Sequence, residues 1–254
     1  MTERLDGTVA LVTGASSGIG EATARVLAAQ GAAVSLVARR KERLESLAVE
    51  LTKAGARALV VEADVTDQAQ AADAVERTVS ALGRLDTVVN NAGVMLLGPV
   101  EDAPIDEWER MVQLNVLGLL YIARAALPDL LRAAADAPRR VADLVNISSI
   151  AGRVARGGSA VYNLTKFGVG AFSDALRQEV TARHVRVSLV EPGAVKTELF
   201  SHMRPEIQAM SAQRIGEVER LEASDIAETI TFIVTRPRRM AVNEVMVRPT
   251  DQVG

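Results

Sequence analysis

The chain has 254 residues, enough for one large α/β domain and short for two. With 48% hydrophobic and 24% charged residues and a formal net charge of -3, the composition excludes a disordered chain and offers no basic field for nucleic acid or anionic lipid. Cysteine is absent and only two histidines occur, which excludes disulfide and thiolate chemistry and leaves no metal-ligand cluster.

The opening segment MTERLDGTVALVTG sets charges before a short apolar run with no cleavage-type segment after it, so it is not read as a signal peptide, and a cytoplasmic location is expected. The first predicted strand, VALVT at 9–13, runs into Thr13-Gly14-Ala15-Ser16-Ser17-Gly18-Ile19-Gly20, and a helix is expected from about Glu21. Gly14 permits a tight turn, while Gly18 and Gly20 let backbone approach a pyrophosphate and let the helix pack close to the strand. The helix N-terminus then offers free N–H groups to the phosphates. The spacing is G-x-x-x-G-x-G, which differs from the G-x-G-x-x-G fingerprint.

The second strand, AVSLVA at 33–38, ends at Ala38-Arg39-Arg40-Lys41. A fold that selects NAD wants a carboxylate here for the ribose 2′-hydroxyl. This chain has Ala38 followed by three basic residues, which suits a 2′-phosphate; the alternative is a solvated basic turn. One charge-assisted hydrogen bond contributes roughly 1.5–3 kcal/mol, about one to two decades of NADP preference.

Leu44, Leu47, Ala48 and Leu51 predict a helix that stops near Gly55. A third strand follows at 56–62, then caps at Asp64 to Asp67 for a helix reaching about Leu82 and ended by Gly83. Further strands are predicted at 85–90, 142–148, 185–191 and 241–247. All seven runs are short, rich in β-branched residues and poor in alternating polar positions, as in strands buried on both faces of a parallel sheet. The apolar stretch from Met111 to Leu127, broken by Gln113, Asn115 and Arg124, reads as a buried helix and not a membrane span, and Ala133 to Arg140 reads as a surface loop. Strand–helix alternation with right-handed crossovers gives a Rossmann-type doubly wound seven-stranded parallel sheet with helices on both faces, one domain over 1–254.

Tyr162 and Lys166 lie four apart and share a helix face, and Ser149 stands just past the fifth strand, where strand ends point into a cofactor cleft. A phenol with its usual pKa of about 10 gives up its proton poorly near neutrality, and a nearby ammonium lowers that value.

TGASSGIG, Asn90-Asn91-Ala92-Gly93, Asn115, Ser149, Tyr162-x-x-x-Lys166 and Pro192-Gly193, in this order across nearly the whole chain, resemble the short-chain dehydrogenase/reductase family. The stretches VARRKERL, SSIAGRV and VRPTDQV are similar to its group of NADP-dependent 3-hydroxy acid (serine) dehydrogenases and clavulanate-type aldehyde reductases. The resemblance implies strand order 3-2-1-4-5-6-7 and an NADP(H)-dependent oxidoreductase acting on a small carbonyl or alcohol. It also implies a homodimer or homotetramer, with no nucleic-acid or membrane partner. It implies Tyr162 as general acid and base, Lys166 as its tuner and holder of the nicotinamide ribose, Ser149 as holder of the substrate oxygen, and Asn115 as support for a water that reaches Lys166. The implied cofactor contacts are Gly14, Ser16, Ser17, Gly18, Ile19 and Gly20, then Ala38, Arg39, Arg40, Asp64 and Val65, then Asn91, Ala92 and Gly93. Tyr162, Lys166, Pro192, Gly193, Val195 and Thr197 complete them at the nicotinamide end.

A substrate lid is expected at about 195–222, with Phe200, His202, Met203 and Met210, and ordinary helical packing is its alternative. Arg153 and Arg156, between Ser149 and Tyr162, either approach the pocket and pair with a carboxylate-bearing substrate or face solvent or a neighbouring subunit. A non-catalytic NADP(H)-binding sensor or scaffold on the same fold is the competing reading.

Overall fold

The computed structural model describes residues 4–136, 138–215 and 218–252, and the side chains of 211–217 are outside that description. The ends of the 1–254 domain and residues 216 and 217 of the expected lid therefore lie outside the described residues. Seven parallel strands form one sheet in the order β3-β2-β1-β4-β5-β6-β7. They are β1 (Val9–Thr13), β2 (Ala33–Ala38), β3 (Ala58–Glu62), β4 (Thr87–Asn90), β5 (Ala142–Ile147), β6 (Val185–Pro192) and β7 (Glu244–Val247). Every residue of β1, β4, β5 and β6 is buried, and the polar ones on β5 and β6 are paired inside: Arg186 with Asp143, Asn146 with Ser173, and Ser188 with the Val242 carbonyl.

Helices α1 (Gly18–Ala29), α2 (Lys41–Lys53) and α8 (Ala223–Val234) supply Leu27, Leu44, Leu47, Ile226 and Ile230 to the core on one face. On the other face, α3 (Gln68–Leu82), α5 (Leu119–Ala135) and α6 (Ala160–Val180) supply Val75, Ile122, Leu130 and Leu176. The caps predicted for α3 form as expected. Asp67 accepts from the Ala69 and Gln70 amides, and Gly83 closes the helix at φ 92°, a left-handed conformation that glycine adopts without strain.

Several boundaries differ from the sequence reading. Helix α1 starts at Gly18, three residues before Glu21. The fourth strand starts at Thr87 because the side chain of Asp86 takes the Val9 amide at 2.9 Å. The 133–140 loop is shorter than predicted: α5 continues through Ala135, and Ala133 and Ala134 are buried against the sheet. Alanine is the strongest helix former, so an alanine run with an apolar seat extends a helix. The stretch at 111–127 is helical, but it joins α4 (Ile105–Val112) to α5 through a π-helical turn at Gln113–Gly118. This long helix is apolar enough by length and composition to cross a membrane, yet its Ile122, Ala126 and Leu130 are sealed into the core.

Candidate active site

The carboxyl ends of the strands open on a cavity of about 520 Å³ that runs from the β1–α1 turn to the start of α6. At its first end, Gly14 and Gly18 sit at φ 66° and 56°, which glycine alone adopts easily. A Cβ on Gly14 would lie 3.0 Å from the Ala92 Cα, so the turn is pressed against the β4 end. Ser17 precedes α1 in extended conformation and makes no side-chain cap, leaving the first amides of the helix for an outside acceptor. Of the two tasks expected of it, Gly20 performs the packing one. It does not line the cavity, and a Cβ there would meet the Gly14 carbonyl oxygen at 2.4 Å, so it permits helix–turn packing. Thr13 locks the same corner, its Oγ1 accepting from the Asn91 and Ala92 amides at 3.0 Å each.

Beyond the turn, Arg40 donates to Ser16 Oγ at 3.1 Å, to Ser17 Oγ at 2.6 Å and to Glu198 at 2.7 Å. Arg39 is exposed and faces Asp64 at 3.6 Å. Asp64 in turn is held by Thr66, and Val65 lines the same wall. The Gly-turn hydroxyls and the basic pair after β2 therefore share one concave corner. That corner fits a dinucleotide whose ribose carries a 2′-phosphate: free helix amides and glycine surfaces for the pyrophosphate, and two guanidiniums for the extra anion.

At the far end, Ser149, Tyr162 and Lys166 line the cavity, and Tyr162 and Lys166 are each 7% exposed. Burial pushes the Tyr162 phenol up to about 12, opposed by a hydrogen bond with Ser149. Burial pushes Lys166 down to about 8. The Lys166 ammonium donates to the Ile147 carbonyl at 2.9 Å and lies 5.8 Å from the Tyr162 ring centroid. The hydrogen bond from Ser149 opposes the upward push on the phenol, and the i,i+4 spacing sets the Lys166 ammonium beside the ring.

Asn115 stands behind the wall and not on it. Its Oδ1 accepts from the Val94 amide and its Nδ2 donates to the Val94 carbonyl, both at 2.8 Å, and Nδ2 also reaches Thr165 Oγ1 at 3.3 Å. It sits within the π-helical turn, a distortion that frees backbone groups beside functional sites. Asn91, Ala92, Gly93, Pro192, Gly193, Val195 and Thr197 line the cavity.

Of the two arginines considered for substrate, Arg153 is already neutralised. It bonds Glu191 at 2.7 Å and also holds Glu244. Arg156 lines the cavity, is exposed, and has no carboxylate partner among the described residues. Met95, Leu97, Val154, Leu199 and Phe200 give the surrounding wall an apolar character. Trp108 packs with Val94, Leu96, Met111 and Tyr162, as a packing residue would.

Three residues at this site were not singled out from the sequence. Asn163 pins the loop before α6, its Nδ2 donating to the carbonyls of Ala151 at 2.6 Å and Val154 at 3.0 Å. An asparagine within a helix was the available signal, since it forms helices poorly without such a duty. Gln252 accepts from the Ala194 amide at 3.0 Å and lines the cavity. Glu198 left no local signal, since its partners Arg40 and Arg43 are remote in sequence.

The family model for short chain dehydrogenase matches residues 8–208. An uncharacterized oxidoreductase of Staphylococcus aureus (strain USA300) is 36% identical over 241 residues, 95% of this chain and 96% of the relative. The closed form of serine dehydrogenase complexed with NADP+ matches with a TM-score of 0.88 at 30% identity, covering 97% of both chains. The 3-ketoacyl-(acyl-carrier-protein) reductase from Brucella melitensis complexed with NADH matches with a TM-score of 0.85 at 30% identity, covering 98% of this chain and all 100% of that one. Since the two neighbours hold different cofactors on one fold, cofactor choice rests on side chains such as those after β2.

Proposed function

This chain belongs to the short-chain dehydrogenase family, and on that premise we propose that it is an NADP(H)-dependent oxidoreductase that interconverts a carbonyl and an alcohol on a small, carboxylate-bearing substrate. The observation that carries this reading is one continuous cavity with Arg39 and Arg40 at one end and Ser149, Tyr162 and Lys166 at the other. A bound nicotinamide supplies or receives the hydride, and the chain does the rest. Gly14, Ser16, Ser17, Gly18 and Ile19 hold the pyrophosphate, while Ala38, Arg39, Arg40, Asp64 and Val65 hold the adenosine end. Asn91, Ala92, Gly93, Pro192, Gly193, Val195 and Thr197 surround the nicotinamide half.

In reduction, Ser149 Oγ holds the substrate oxygen, and Tyr162 Oη gives it the proton as the carbon gains its hydride. In oxidation, Tyr162 takes that proton back. Lys166 supplies positive charge that favours the phenolate left behind, and Asn115 fixes the Val94 backbone beside it. The described part of the 195–222 segment closes the substrate end as a lid, with Leu199 and Phe200 lining the cavity. Exposed Ile105, Leu164 and Phe167 on α4 and α6 support assembly as a homodimer or homotetramer.

Arg156 is the substrate's carboxylate partner in this reading, and Arg153 is not. Arg156→Ala is expected to raise KM for an aldehyde acid by about tenfold or more and to leave the matching methyl ester unchanged. Equal effects on acid and ester in steady-state kinetics would remove the carboxylate from the proposal. The Lys166 charge also sets a pH dependence. The charged form is present below about 8 and is lost as pH rises through that value, while Tyr162 keeps its proton to about 12. The kcat/KM for reduction should therefore fall as pH rises through about 8, and Lys166→Arg should move that limb upward. A profile flat across this window would contradict a role for the Lys166 charge.

A further inference from the structure

Glu198 opens a 3-10 turn at Glu198–His202, at the entry to the 195–222 segment, yet its carboxylate lies at the end of β2. One oxygen takes Arg40 Nη1 at 2.7 Å and the other takes Arg43 Nη1 at 2.6 Å. Each of the three Arg40 nitrogens is engaged in this arrangement, since its Nε and Nη2 are given to Ser16 and Ser17. Those serines, Arg40 and Glu198 line the cavity, and Arg43 holds the carboxylate from behind its wall. The carboxylate thus occupies the donors that a 2′-phosphate at this position needs. The two arginines hold the Glu198 carboxyl down to about 2, so it is an anion throughout the neutral range.

Resting on the NADP(H) reading above, we propose that Glu198 is a specificity-determining residue whose carboxylate holds the cation site after β2 until the cofactor's 2′-phosphate displaces it, freeing the head of the 195–222 segment. Two anions cannot use the same guanidinium edge without repulsion, and a phosphate brings more charge and more acceptor oxygens than a carboxylate. The exchange is therefore downhill for a 2′-phosphorylated cofactor and has no driver for a cofactor with a free 2′-hydroxyl. Leu199 and Phe200 follow Glu198 directly and line the substrate end, so release of the carboxylate reaches the substrate wall. Thr197, one residue earlier, lies against Gly18, with its Cγ2 3.1 Å from the position a Cβ would take there. That contact keeps the hinge of the movement at the cofactor's own turn.

The test is calorimetric binding of adenosine 2′,5′-bisphosphate, adenosine 5′-monophosphate, NADPH and NADH to the wild type, Glu198→Gln and Glu198→Ala. Both variants should bind the bisphosphate and NADPH about tenfold tighter than the wild type, with the monophosphate and NADH unchanged. Unchanged or weaker NADPH binding in both variants, with the wild type still preferring NADPH over NADH, would overturn the proposal and make Glu198 a support for Arg40. No wild-type preference for NADPH would defeat the cofactor reading itself, and this proposal with it.

Discussion

Tyr162→Phe is expected to lower kcat by about 10²–10⁴-fold while leaving NADPH affinity within about threefold of wild type. The substitution removes one oxygen and leaves the ring in its seat among Val94, Leu96 and Met111, so folding is preserved. The lost oxygen belongs to a buried phenol that keeps its proton well above neutral pH, with a pKa raised to about 12. A proton held that firmly is delivered only to an oxygen gaining negative charge as the hydride arrives, which ties its transfer to the chemical step. Ser149 and Lys166 are poorer donors for this duty, because the Ser149 hydroxyl is directed to the Pro192 carbonyl at 3.5 Å and Lys166 donates to the Ile147 carbonyl. Single-turnover kinetics beside NADPH titration separate the outcomes. A variant that keeps near-wild-type kcat would show that another group carries the proton.

The second large effect concerns stability, at the end of the sheet away from the cavity. Asp143 on β5 is fully buried and bonded by Arg186 through Nε at 2.7 Å and Nη2 at 2.9 Å, with Arg139 at 3.2 Å. Arg186 also donates to the backbone carbonyls of Val234, Arg236 and Met240, which ties the turn after α8 to β6. Asp143→Ala is expected to cost about 3–5 kcal/mol, because it leaves two buried guanidiniums facing each other without their anion. Chemical denaturation measures this, and a change below about 1 kcal/mol would mean that the carbonyls alone satisfy the arginines. The folded fraction of the variant should bind NADPH as wild type does, since no member of this cluster lines the cavity.

The inner strands β1 and β4 were legible because burial on both faces leaves an uninterrupted apolar run, whereas the edge strands β3 and β7 are partly exposed and not buried on both faces as the sequence suggested; the Gly14–Gly18 turn was legible because its position after β1 restricts what it can do. Strand ends were less legible. At β4 a side chain, Asp86, replaces a backbone partner, and alternation rules do not foresee that. The 133–140 segment was misread because its alanines look like a featureless linker until a sheet is present to bury them. Within the site, the Tyr162/Lys166 pair is local and could be read, whereas three facts depend on tertiary contact. Gly20 stays out of the cavity, Asn115 sits in a π-helical turn behind the wall, and Glu198 reaches arginines more than 150 positions away. Arg153 and Arg156 looked equivalent in sequence. Two acidic side chains on the neighbouring strands β6 and β7 distinguish them by capturing Arg153 alone.

The most direct test of the central claim is the initial rate of NADPH oxidation by the wild-type protein with a series of aldehyde and keto acids, repeated with NADH at equal concentration. The expected result is turnover with kcat/KM for NADPH at least about tenfold above that for NADH. Tight NADPH binding with no turnover on any carbonyl would contradict the claim and leave a non-catalytic NADP(H)-binding sensor or scaffold, and equal use of NADH would strip Arg39 and Arg40 of the role given to them here.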